Sequence, residues 1–181
     1  MSTPTEIGSL LKSPQGAVFS SDGRYRYLLW RTVGDSGGTD LSFIMLNPST
    51  ASATEDDPTI RRCVGFAKEW GCSRLLVANL YALRSTDPKE LWRTRTLEER
   101  MGAENRDWLR AAVKQSDLVV AAWGAEARKD PFSVEAMFSG IAKAARKPIF
   151  RLGEPTRYGQ PRHPLYVRGD VMLQSVTLGE L

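Results

Sequence analysis

Two cysteines and one histidine are all that this 181-residue chain offers a soft metal. That scarcity excludes the thiolate and imidazole cages of zinc and iron–sulfur sites. Cys63 and Cys72 lack Cys-x-x-Cys spacing and read as buried thiols of a reducing compartment. No run approaches the roughly 18 apolar residues of a membrane helix. The N-terminus, MSTPTEIGSLLKSPQG, lacks the charged-then-apolar layout of a secretory signal. The expectation is a cytoplasmic protein with no membrane partner. Excess charge is scarce too: 25 basic against 21 acidic residues give a net charge of +4. That bias suits a polyanionic partner only where the basic residues cluster in space.

A chain of this length suits one domain, which buries roughly 70% of its unfolded surface. Residues 1–16 mix Ser, Thr, Pro and Gly and read as a weakly ordered lead-in, leaving 17–181 as a single α/β domain. Arg24 to Val33 is aromatic and β-branched, GDSGGTD is a turn cluster, and Leu41 to Leu46 is apolar throughout, so the pair reads as a hairpin. Helices are expected from Asp57, as N-cap ahead of Pro58, to Trp70, from about Leu97 to Lys114, and from about Phe132 to Ala145. Between them RLLVAN, DLVVAAWG and KPIFRLG read as buried strands. The sum is a three-layer α/β/α sandwich with a mainly parallel sheet of about four strands, plus the N-terminal hairpin.

Ligands of such sheets bind beyond the carboxyl ends of the strands. The residues found there are Asn47, Pro48 and Ser49, then Asn79, then Trp123 and Gly124, and finally the loop GEPTRYGQPRHPLYVRGD with the lone His163. Asn47 either projects into a pocket and holds a water or closes an Asx turn. Asn79 either offers a planar ligand an amide or satisfies loop backbone. Asp56 and Asp57 suit a helix cap, although Asp56 also competes with Asn47 as the group that activates a water. Arg61, Arg84, Arg162 and Arg168 suit phosphate contacts or a solvated surface. His163 is a candidate donor or general acid, and Trp123 is either pocket wall or core.

The order of these motifs resembles that of the uracil-DNA glycosylase superfamily. FIMLNPS is similar to the Asn-Pro catalytic loop of its mismatch-specific branch, LLVANLYALR to the strand ending in the pyrimidine-reading Asn, VVAAWG to the strand ending in Trp-Gly, and RHPLYVRG to the His-Pro intercalation loop. The resemblance implies that Asn47 positions water, Asn79 reads the base, His163 stabilises the leaving pyrimidine, and Pro164, Leu165 and Tyr166 form the wedge. DNA or a nucleotide would be the partner, and the resemblance implies no metal or cofactor. The chain departs from the pattern in placing Asn47 where the most active branch has Asp, and in lacking a stacking aromatic in STASATEDD. The whole chain also resembles, more closely, a bacterial and phage family known only as a domain of unknown function, number sixteen forty-three, through MLNPS, DPTIRR and ANLYALRS.

Three readings stay open: an N-glycosidic hydrolase acting on a modified or mismatched base or on a free nucleotide, a nucleobase-binding module without chemistry, and an unrelated α/β nucleotide enzyme. A pocket that does not bring Asn47, Asn79 and His163 together favours the third.

Overall fold

The computed structural model describes residues 2–87, 89–93 and 96–176; Pro88 of the polar stretch after Asn79, and 177–181 of the expected domain, lie outside it. Strands β1 (Gln15–Phe19), β2 (Arg26–Thr32), β3 (Asp40–Met45), β4 (Arg74–Asn79), β5 (Leu118–Ala121), β6 (Ile149–Leu152) and β7 (Leu173–Val176) form one seven-stranded sheet in the order β1-β2-β4-β3-β5-β6-β7. The β4, β3, β5 and β6 neighbours run parallel, whereas β1–β2, β2–β4 and β6–β7 are antiparallel. The sheet is therefore mixed and seven-stranded. This corrects the expectation of about four mainly parallel strands with a separate hairpin. The added strands carry weak signals: β1 is short with a glycine inside it, and most of the edge strand β7 is only partly buried.

The hairpin expectation fails in an instructive way. β2 pairs with β1 and β4, and β4 lies between β2 and β3. The GDSGGTD segment therefore spans two strand spacings, about 10 Å, instead of closing a tight turn. It crosses over the start of β4, where Val33 and Gly34 N–H both donate to the Ser73 carbonyl and Ser73 N–H donates to Thr39. A Cβ on Gly34 would lie 2.7 Å from the Cys72 carbonyl oxygen, so this crossing needs glycine.

Helices cover both faces. On one, α1 (Ile7–Leu10), α3 (Leu97–Met101), α4 (Asn105–Gln115) and α5 (Pro131–Ala145) pack on Leu28, Ile44, Leu76 and Val119. The single helix expected over 97–114 is broken at Gly102, whose φ of 74° ends α3. Ile7 and Leu11 of the expected lead-in are buried against this face. On the other face α2 (Pro58–Glu69) buries Ile60, Cys63 and Phe66 against Leu41, Phe43 and Val77. Each such side chain contributes about 1.5–3 kcal/mol through burial. Asp57 caps α2 by accepting the Ile60 N–H at 2.8 Å, and Pro58 opens its first turn. Among the described residues no helix is long and apolar enough to cross a membrane.

Candidate functional site

At the carboxyl ends of β3 and β5 lies a cleft of about 580 Å³, a volume suited to a small organic ligand. One wall is the loop between β3 and α2. The other is the long connection from β6 to β7.

Two buried arginines of β2 shape the first wall. Arg31 donates to the carbonyls of Ser52 and Ala53, both at 3.0 Å, and forms an ion pair with Asp56 at 2.8 Å. Arg26 Nη1 donates to the Ala51 carbonyl at 3.1 Å. Asn47 Nδ2 donates to the carbonyls of Pro48 and Ser85, each at 3.1 Å. Since both partners are pure acceptors, the nitrogen must face them, and among the described residues Oδ1 is left without a hydrogen-bond partner.

The second wall is pinned from several sides. Trp123 Nε1 donates to Gln160 Oε1 at 2.8 Å, Gly124 N–H donates to the Pro161 carbonyl at 2.9 Å, and Arg62 of α2 donates to the carbonyls of Pro164 and Val167. These bonds bring His163 against Gly124, where its Cβ would lie 3.1 Å from an added methyl. Burial pushes the His163 imidazole down to about 4, with Asp57 pulling weakly the other way. The ring is neutral at pH 7. Its Nδ1 accepts the Leu165 N–H, so the hydrogen sits on Nε2.

Of the residues singled out in the sequence, Asn47, Ser49, Trp123 and Gly124 line the cleft, as do Arg162, His163, Leu165 and Tyr166. The others do not. Asn79 is 1% exposed, lies outside the lining, and neither polar atom of its side chain has a partner among the described residues. Asp56 is held by Arg31, Arg61 bonds the Asp56 carbonyl, Arg84 bonds the Gly23 carbonyl, and Arg168 pairs with Asp170. Pro48 and Pro164 serve the loops through their carbonyls. Asp57 lines the cleft while capping α2, so the helix terminus is already occupied. Trp123 is 2% exposed and packs edge-on to Phe138, so it is mainly core.

Sequence reasoning missed Arg26, Thr59, Thr86, Glu126 and Thr156, which also line the cleft. None carried a readable signal: Arg26 is one of three arginines in the run at 24–33.

Residues 26–165 match a family model described as a protein of unknown function, DUF1643. No curated protein and no solved structure matches the chain.

Proposed function

We propose, for a chain that belongs to the DUF1643 family, that the cleft binds a nucleobase-bearing ligand and hydrolyses its N-glycosidic bond. The observation that carries this reading is the neutral His163, held with a hydrogen on Nε2, in the same cleft as the fixed Oδ1 of Asn47. Asn47 Oδ1 accepts a hydrogen from water and orients it toward the anomeric carbon. As the C–N bond breaks, its electron pair leaves with the base and His163 Nε2–H stabilises the charge that develops there; the water oxygen bonds to the anomeric carbon and its proton passes to the departed base anion. A neutral donor in a desolvated site does this without reorganisation. Leu165 and Tyr166, 43% and 79% exposed, stand at the rim as a wedge or stacking surface. The motif order shared with uracil-DNA glycosylases supports the same roles for Asn47 and His163. Asn79 lies outside the lining, which counts toward the third reading, an unrelated α/β nucleotide enzyme, and in the first reading leaves base recognition to other groups.

A second reading, binding without cleavage, draws on the carboxylates. Asp56 is paired with Arg31, Asp57 caps α2, and Glu126 lies 2.7 Å from Lys129. Each has a structural partner.

Single-turnover incubation with labelled oligonucleotides carrying uracil, mismatched thymine, hypoxanthine or hydroxymethyluracil, and with the matching free nucleotides, separates the two. Base release by the wild type, lost in N47A and H163Q while binding persists, supports hydrolysis. Binding without release supports the second reading, and neither binding nor release sinks both.

A further inference from the structure

Arg26 stands out in this molecule. It is 2% exposed and lines the cleft, yet one carbonyl, that of Ala51, is the hydrogen-bond partner of its guanidinium among the described residues. Its Nε is buried and has no hydrogen-bond partner among the described residues. Among the described residues no carboxylate lies within 4.0 Å of its guanidinium, although Arg31 on the same strand has Asp56 at 2.8 Å. Among the neighbouring charges Asp57 favours the cation, while Arg84 and Arg31 oppose it. Burial above all, with these two arginines, draws the guanidinium down to about 10 despite Asp57.

Burying a cation without a partner is costly, and an apolar side chain of similar length would fill the space without that cost. A guanidinium has five N–H donors in a planar fork that matches two oxygens of a phosphate. The hydroxyl-bearing Ser49, Thr59 and Thr86 line the same cleft and add donors without adding charge. We infer that Arg26 is an anion-binding group of the cleft and takes the charged oxygens of a phosphate carried by the ligand, either a terminal monoester or an internal diester. This subsite stands without the glycosidic reading, because it concerns how a ligand is held and not which bond breaks.

The test uses R26M and R26K, with R110Q as a control on a remote helix surface. Thermal unfolding is followed with inorganic phosphate, then with a deoxynucleoside, its 5′-monophosphate, and a short oligonucleotide lacking terminal phosphates. The expected result is a saturable rise in the wild-type and R110Q midpoints with phosphate. R26M should fold at least as stably as wild type without phosphate and bind it at least about tenfold more weakly, with R26K in between. Tighter binding of the monophosphate than of the oligonucleotide assigns the subsite to a terminal phosphate, and the reverse assigns it to a diester. An equal phosphate effect in wild type and R26M, or no effect of any anion on wild type, overturns the inference. Should R26M and R26K not fold, wild-type crystals with tungstate decide: the anion sits on the Arg26 guanidinium or the inference fails. Phosphate bound at Arg26 by a protein that releases no base keeps the subsite and ends the glycosidic reading.

Discussion

His163 Cβ lies 3.1 Å from the point where a side chain on Gly124 would begin, and Gly124 itself has φ of 80° and ψ of 176°. That backbone region is almost closed to residues with a Cβ. Gly124→Ala therefore combines a strained backbone with a contact that moves the histidine. A loss of about 1–3 kcal/mol is expected, read as a lower urea midpoint at unchanged slope. A G124A protein as stable as wild type would show that the loop has room to give.

His163 also sets a pH dependence. Its folded value of about 4 lies below its ordinary 6.5, so the unfolded chain binds the proton more readily. The associated stability is complete above pH 6.5, declines as pH falls toward 4, and changes no further below that. The full effect is about 3 kcal/mol, and H163Q should flatten this window of the stability curve. A pH–rate profile for base release should likewise lack an inflection near 6.5, since the working form is the neutral one. An inflection there would show that the ring titrates as it does in water.

Asp56 was a rival to Asn47 in the sequence, and the ion pair with Arg31 gives it a different role. Asp56→Asn leaves Arg31 buried without its anion. A destabilisation of about 2 kcal/mol is expected, reduced from that of a fully buried pair because Asp56 is partly exposed. The folded D56N protein should retain base release or ligand binding. Loss of turnover at unchanged stability would return Asp56 to the reacting centre.

Asn79 offers the opposite case. Its buried amide lacks partners on both polar atoms among the described residues. Replacing it with leucine, which branches at the same carbon, removes an unsatisfied group at the cost of two slightly larger methyls, so N79L should be neutral or stabilising by up to about 1 kcal/mol in chemical denaturation. Ligand affinity should not change. A large drop in affinity with stability intact would mean that the cleft opens to Asn79 when occupied.

The sequence was legible where one residue type does one job. Asp57-Pro58 announced the start of α2, and the apolar runs marked β3, β4, β5 and β6. Strand order was not legible, because the insertion of β4 between β2 and β3 depends on contacts between segments far apart in the chain. Nor did the pattern of LQSV show that β7 would pair with β6. In the site, Asn47 and His163 were visible as polar residues at strand ends. Asn79 looked the same and lies outside the lining, since alternation along a strand does not say where an opening falls. Arg26 was hidden by its setting, because a cation inside an aromatic strand reads as one face of a half-exposed ribbon.

The bonds from Arg62 to the carbonyls of Pro164 and Val167 join residues 102 and 105 positions apart. Contacts of such separation close long loops and form late when a chain folds. The wall shaped by Arg26 and Arg31 needs β4 and the Ser85 carbonyl as well as β2 and β3, all within the first half of the sequence, whereas the histidine wall must wait for β5 and β6. A refolding chain should thus regain most of its circular dichroism before it can hold a ligand, and the interval between the two signals measures how long Arg62 takes to find its carbonyls.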